Sequence, residues 1–333
     1  MPNSHPARIM FFASLVSGLL IAISSNSWFT SWMGLELNLL SFIPIMTSKT
    51  NSYSSEAALK YFLVQALSSS IMLISASSMI MWKESPTLLI LTSLLLKMGA
   101  APLHFWFPTI MQGLSWMQCL TLMTIQKVAP MIMVSYTLTQ LNSHWMLILA
   151  SMSSSIVGSL GGLNQTLLRK ILAYSSINHM AWMLAAISLS ADAWTIYITT
   201  YSVVTLSLVT ILNFNQSFHF KQLSLISHPP SKMLCFFTLF SLGGLPPLLG
   251  FLPKLLVIKL LIYSQSFTWL LPLIAGTLIT LFYYIRLTMI SMVLITPQLK
   301  TTLYKLEKKN LLLILPSINF SPLLFPMITM TIY

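Results

Sequence analysis

The chain has 333 residues, of which 56% are hydrophobic and only 7% charged, with a formal net charge of +12. An ordinary soluble domain is about one quarter charged, so composition excludes a water-soluble enzyme or binding module and leaves room for about ten or more membrane crossings at roughly 20 apolar residues each. The basic surplus does not point to nucleic acid, because Lys and Arg are scattered through short loops instead of gathering on one face.

Residues 1–8 lack the basic stretch, short apolar core and small-residue cleavage site of a signal peptide, and the Arg-rich amphipathic pattern of a transit peptide. The chain is therefore expected to be inserted uncleaved. Breaking the apolar runs at polar, Gly and Pro clusters predicts eleven helices, at about 8–25, 27–47, 56–81, 87–111, 117–140, 144–163, 167–190, 193–215, 233–262, 268–294 and 309–331. The fold class is thus all-α and polytopic. Helix two carries Glu36, the one carboxylate well inside a predicted span. Helix three starts after Ser54-Ser55 with Glu56 and Lys60 one turn apart, the pattern of a capped start with an i, i+4 pair. Lys97 and His104 lie in helix four, Lys127 in helix five and His179 in helix seven; Asp192 stands at the joint before helix eight as a cap. Helix nine holds Lys254 directly after its Gly–Pro block. Lys259 and Arg286 lie nearer helix ends, where long side chains snorkel to the interface. Cys119 and Cys235 sit in apolar runs as small hydrophobes, and two thiols make neither a disulfide framework nor a metal site.

Charge tests the helix count, because consecutive helices alternate direction and Lys/Arg gather on the side of insertion. Arg8, Lys49, Arg169, Lys170, Lys221, Lys232, Lys300, Lys305, Lys308 and Lys309 all fall on the side of the N-terminus; Lys83, beside Glu84, falls on the other. An error of one helix would scramble this split. The N-terminus is therefore predicted on the insertion side and the C-terminus, after an odd count, on the opposite one.

An internal repeat adds to the hydropathy. Gly99-Ala-Ala-Pro102-Leu103-His-Phe-Trp-Phe-Pro108 and Gly244-Leu-Pro-Pro247-Leu248-Leu-Gly-Phe-Leu-Pro253 share G-x-x-P-L-x-x-x-x-P without a gap, one in helix four and one in helix nine. Proline removes a backbone donor and clashes with the carbonyl four residues back, so each span should unwind near its middle. Free backbone groups at membrane depth survive only when buried in protein or lining a wet cavity. The blocks lie five helices apart, an odd offset that makes them antiparallel, as in inverted-repeat transporters with sites at discontinuous helices. The predicted organisation is a single transmembrane domain, with a first repeat at about 8–140, a second at about 144–294 and a C-terminal helix at about 309–331. A pair of ordinary proline kinks is the plainer alternative.

Ionisable residues inside spans are costly and mark functional candidates. Low dielectric disfavours the charged form of a lysine and a nearby carboxylate favours it, so such a group can be switched. Lys97, Lys127 and Lys254 form a candidate proton relay with Glu36 as its control, and His104 is a candidate extension. For Glu36 and Lys97 the structural alternative is an ion pair. No G-x-G-x-x-G, P-loop, CxxC pair or haem-like His pair is present, so no nicotinamide, flavin, iron–sulfur or nucleotide site can be argued from the chain.

Four segments, Ser24–Pro44, Glu56–Leu63, Gly161–Ser176 and Phe240–Lys254, resemble the subunit 2 family of mitochondrial NADH:ubiquinone oxidoreductase, respiratory complex I, and look most like its invertebrate members. The resemblance covers about residues 9–295. It implies an antiporter-like, proton-pumping module of the membrane arm, with eleven helices. It also implies a multi-pass protein of the mitochondrial inner membrane, N-terminus in the matrix and C-terminus toward the intermembrane space. Neighbours would include subunits 4 and 4L and the membrane lipids, with no nucleic acid. The complex would use NADH, FMN, iron–sulfur clusters and ubiquinone, none held in this chain. By matching motifs, Glu36 is the family's channel glutamate, Lys97 and Lys254 the lysines of the two broken helices, and Lys127 the central connecting lysine. After Phe-Trp-x-Pro the family often has Glu where this chain has Thr109, which leaves that acid without a counterpart. A free-standing cation/proton antiporter and a structural spacer are the rival readings.

Overall fold

The computed structural model of the chain describes residues 6–48, 51–79, 85–138, 141–224, 226, 229–293, 317 and 319. The predicted eleventh helix at 309–331, apart from positions 317 and 319, lies outside them, as do Lys49, Lys83, Glu84, Lys300, Lys305, Lys308 and Lys309. The regular elements among the described residues are helices: α1 Pro6–Ser24, α2 Trp28–Met46, α3 Ser52–Ser78, α4 Ser85–Met98, α5 Trp106–Gly113, α6 Trp116–Met123, α7 Ile125–Thr137, α8 Leu141–Leu163, α9 Leu168–Leu189, α10 Ala191–Phe214, α11 Pro229–Gly243, α12 Phe251–Tyr263 and α13 Phe267–Val293, with a 3-10 turn at Phe220–Leu223. Two compact units divide the chain, Met1–Ser154 and Ser155–Tyr333.

Among the described residues, six stretches are long and apolar enough to cross a membrane by length and composition alone: Pro6–Ser24, Ser52–Ser78, Trp116–Thr137, Asn142–Leu163, Ala191–Phe214 and Phe267–Met292. The predicted fourth and ninth helices are each split, α4 from α5 and α11 from α12. The splits fall at the shared block, where Gly99 has φ +72° and Gly244 φ +85°. Left-handed backbone of this kind strains any residue with a Cβ.

Three local expectations are corrected. Helix five is interrupted at Thr124, between α6 and α7. Pro130 leaves the Gln126 carbonyl without its helical donor, and the Thr124 hydroxyl donates back to Leu120 O at 2.8 Å, so the ladder is weakened from both sides. Helix three starts at Ser52, so Ser54 lies inside the first turn instead of before it; its hydroxyl binds Asn51 O at 2.7 Å and accepts from Ser48 N at 3.2 Å. The cap of α10 is Ser190, whose hydroxyl accepts from Ala193 N at 3.3 Å; Asp192 follows in the first turn, where its charge suits the helix dipole.

With lipid as apolar as leucine, helix association relies on close backbone approach at small residues. In the first unit α1 and α2 meet in this way. A Cβ at Gly34 would lie 2.6 Å from Ala22 N, and one at Gly18 would lie 2.9 Å from Asn38 N and Gly34 O. This crossing fixes the stretch of α2 that carries Glu36. In the second unit α9 is the central element, buried without interruption from Ser175 to Ile187. The α11–α12 break folds back so tightly that a Cβ at Gly250 would overlap Ser241 O, whereas one at Gly243 would meet only Leu281 and Tyr284 at 3.6 Å. Gly250→Ala should therefore destabilise the protein by on the order of 3 kcal/mol or more and deplete the assembled form on native gels, while Gly243→Ala should assemble normally. Equal assembly of the two variants would contradict this geometry.

Candidate functional site

In the first unit the end of α4 is closed by neutral donors. Trp106 Nε1 donates to Leu96 O at 3.0 Å, and Gln65 Nε2, from α3, donates to Lys97 O at 3.2 Å. Lys97 itself occupies the last turn of α4, where the helix dipole favours a cation. Its side chain, 8% exposed, lines a cavity together with Asn38, Tyr61, Gln65, Gln126 and Lys127. The cavity leaves about 20 Å³ for water-molecule centres, room for about one ordered water among polar partners. Gln126 Nε2 donates to Asn38 Oδ1 at 3.0 Å, and Tyr61 OH donates to Gln126 Oε1 at 3.5 Å. Lys127, 2% exposed, enters from just beyond the Thr124 interruption with its ammonium 4.9 Å from the centre of the Phe107 ring. That contact stabilises a cation in apolar surroundings without fixing a counter-charge.

Glu36 is half-buried on α2, and its Oε2 has no hydrogen-bond partner. No direct ion pair joins it to Lys97. Glu56 and Lys60, by contrast, form an exposed i, i+4 pair, as the sequence predicted. His104 is buried inside the α4–α5 break, with Nδ1 3.2 Å from Pro102 O and its ring 4.3 Å from that of Phe105; it does not line the Lys97–Lys127 cavity. Thr109 is exposed and donates back to Trp106 O at 2.8 Å.

In the second unit the corresponding break is closed by its own lysine. Lys254, 4% exposed, donates to Leu242 O at 3.0 Å and Gly243 O at 2.9 Å, the last carbonyls of α11. Glycine at 244 makes space for this reach, since a Cβ there would stand 2.8 Å from Lys254 Nζ. A small cavity beside the break is lined by His179 of α9, Tyr197 and Tyr201 of α10, and Ser241 and Pro253. His179 Nδ1 lies 2.9 Å from Tyr197 OH. His179 thus belongs to the surroundings of the second break, a closer association than its place in helix seven suggested.

Sequence reasoning missed Asn38, Tyr61, Gln65 and Gln126 in the first unit and Tyr197 and Tyr201 in the second. The amides carried a usable signal, because uncharged polar side chains in apolar spans also need partners. Among the described residues no group of three or more His, Cys, Asp or Glu could hold a metal ion.

The model of the family described as NADH:quinone oxidoreductase/Mrp antiporter, transmembrane, matches residues 25–87 and 83–282. A protein named NADH-ubiquinone oxidoreductase chain 2 from Anopheles gambiae is 47% identical over 290 residues, 84% of each chain. A protein of the same name from Locusta migratoria is 39% identical over 325 residues, 95% of this chain and 94% of that one. Among solved structures, a chain of respiratory complex I from Thermus thermophilus superposes with a TM-score of 0.86 at 22% identity, over 99% of this chain and 81% of that one. A chain of the Mrp complex from a Dietzia species does so with 0.75 at 17% identity, over 83% and 59%. At these identities the structural likeness establishes the fold.

Lys254→Met leaves two buried carbonyls without a donor, at about 1–3 kcal/mol each, whereas Lys254→Gln retains a donor. The methionine variant should melt earlier in detergent than the glutamine variant, followed by thermal unfolding of the solubilised protein; equal melting would show that Lys254 does not close the break.

Proposed function

Because this chain belongs to the NADH:quinone oxidoreductase/Mrp antiporter transmembrane family, we propose that it is a core membrane-arm subunit of respiratory complex I. In this role it translocates protons coupled to electron transfer from NADH to ubiquinone. The observation that carries the reading is the arrangement around the first break. Two buried lysines line one water-sized polar cavity, and α2, which supplies part of its wall, carries a half-buried carboxylate whose Oε2 has no hydrogen-bond partner.

In the proposed mechanism quinone reduction elsewhere in the complex changes the charge near one end of the membrane arm. Glu36 responds, and a proton passes along a relay in which Lys97, Lys127 and Lys254 take part. Because Glu36 and Lys97 are not in contact, the signal is a field and not the breaking of a bond. Beyond ion-pair range at an effective dielectric near 20, two unit charges still interact by on the order of 1–4 kcal/mol, a tenfold change in a proton equilibrium for about each 1.4 kcal/mol. Asn38, Tyr61 and Gln126 orient any water between the two lysines. His104 stands aside from that cavity, and its part in the relay is a secondary proposal.

The repeats at about 8–140 and 144–294 belong to the same proposal, as does the inner mitochondrial membrane, with the N-terminus on the matrix side and the C-terminus on the intermembrane-space side. The basic residues of the N-terminal side support that orientation. Subunits 4 and 4L are the proposed neighbours. FMN, the iron–sulfur clusters and the quinone site belong to other subunits. A cation/proton antiporter working outside complex I is the second reading, supported by a family description that also covers Mrp antiporters.

A native gel of mildly solubilised membranes separates the two readings. Co-migration with NADH dehydrogenase activity in one very large band is expected; a small, inactive species would support the antiporter. Within the complex, Glu36→Gln should slow quinone reduction and lower the proton yield severalfold. Wild-type rates and yields in that variant would remove Glu36 from the mechanism.

A further inference from the structure

A second cavity, of about 290 Å³, opens at one end of the second unit, away from the α11–α12 break. Asn164, Gln165 and Thr166, from the joint between α8 and α9, and Arg286 of α13 make its polar side; Phe220 and Ile290 make an apolar wall. The rim is built from paired backbone. Leu168 N donates to Phe218 O at 2.9 Å, and Phe220 N to Thr166 O at 3.3 Å. The Arg286 guanidinium donates to Leu163 O, a carbonyl at the end of α8. That bond engages one of the five donors a guanidinium carries, so the side chain both ties α13 to α8 and presents charge to the cavity.

The charge around the cavity has one sign. Arg169 and Lys170 lie in the first turn of α9, and Lys221 lies in the 3-10 turn that begins at Phe220. Lys232 donates to Ser291 O at 2.9 Å, near the end of α13. The described carboxylate of this unit, Asp192, lies beyond the opposite end of α9. The depth is also defined. Helix α13 has 27 residues, about 40 Å at 1.5 Å per residue, against about 30 Å of hydrocarbon. The end of the helix beyond Ile290 therefore passes the hydrocarbon edge on the side where the basic loops gather, and the long Arg286 side chain, two turns before that end, snorkels toward headgroup level.

We propose that this cavity binds the headgroup of an anionic phospholipid, its phosphate on Arg286 and its glycerol and upper acyl chain against Phe220 and Ile290. A planar guanidinium recognises phosphate through paired donors, and basic pockets between transmembrane helices on the insertion side suit such headgroups. Inorganic phosphate shares the anion chemistry but has no use for the apolar wall. The proposal is independent of the proton relay and rests only on the membrane setting of the chain.

The test uses the intact complex reconstituted into phosphatidylcholine vesicles with a trace of photoactivatable phosphatidylglycerol, followed by peptide mapping. Adducts are expected on the peptides containing residues 163–166 and 286–290. Excess phosphatidylglycerol should abolish them, and neither phosphatidylcholine nor inorganic phosphate should. Arg286→Gln should weaken labelling about fivefold, the effect of one cation at a membrane surface. Ile290→Trp, which fills the wall and leaves the guanidinium in place, should weaken it independently should Arg286→Gln fail to assemble. Absence of adducts at these peptides, equal labelling by a photoactivatable phosphatidylcholine, or unchanged labelling in either variant would overturn the proposal. Competition by inorganic phosphate would overturn it in favour of a free-anion site.

Discussion

A backbone carbonyl inside a bilayer has no water to accept from, and each break in a helix exposes such carbonyls where they are most costly. The two units meet this constraint at the same sequence block with different donors. In the first, carbonyls at the end of α4 accept from the indole of Trp106, which joins Gly99 N on Leu96 O, and from the amide of Gln65 on Lys97 O. In the second, those of α11 are taken by the ammonium of Lys254. The difference decides what each lysine is able to do. Lys97, relieved of structural duty, is turned into a polar cavity beside Lys127. Lys254 closes the helix end, so any loss of its proton weakens the bonds that hold the break.

That coupling gives the proposed relay a mechanical element at one point only. A neutral lysine still offers two N–H donors, so the α11 carbonyls stay satisfied, but a charge-assisted bond becomes an ordinary one and the hold on the break weakens. The His179–Tyr197 pair on the neighbouring wall lies where such loosening would be felt. In the first unit the same proton can come and go with the backbone indifferent to it, because Gln65 and Trp106 do not titrate in the physiological range.

The fold was legible because its signals are coarse and repeated. Apolar runs gave the spans from α1 to α13, and the twin Gly–Pro block located both breaks, since a proline and a left-handed glycine act on the backbone wherever they stand. The charged members of the site were legible for an equally simple reason: a lysine or glutamate within a span is too costly to be incidental. What escaped were features that depend on neighbours. The interruption at Thr124 needs Thr124 and Pro130 together, six residues apart in an otherwise regular apolar span. Asn38, Gln65 and Gln126 read singly as tolerable polar residues, and only packing of α2, α3, α4 and α7 brings them around one water-sized space. Arg286, read as a snorkelling side chain near a helix end, proved to hold the end of α8 at the mouth of a cavity.

The size of the Lys97–Lys127 cavity carries a last consequence. A proton pump must break its own wire during each cycle, because a permanently hydrated path would let protons run back down the gradient. Room for about one water satisfies this: two lysines can exchange a proton through a single bridging molecule, yet no continuous column is stored beside them. Lengthening the path then requires the walls to part. The walls are held by hydrogen bonds among Asn38, Gln126 and Tyr61 rather than by tight apolar packing alone. Asn38 lies on α2, two residues from Glu36 and against the α1–α2 crossing at Gly18. Two positions along a helix point to different faces, so Glu36 does not itself close the cavity; in the proposed mechanism its field acts on the charge of Lys97, which lines that space, and so couples charge to hydration there.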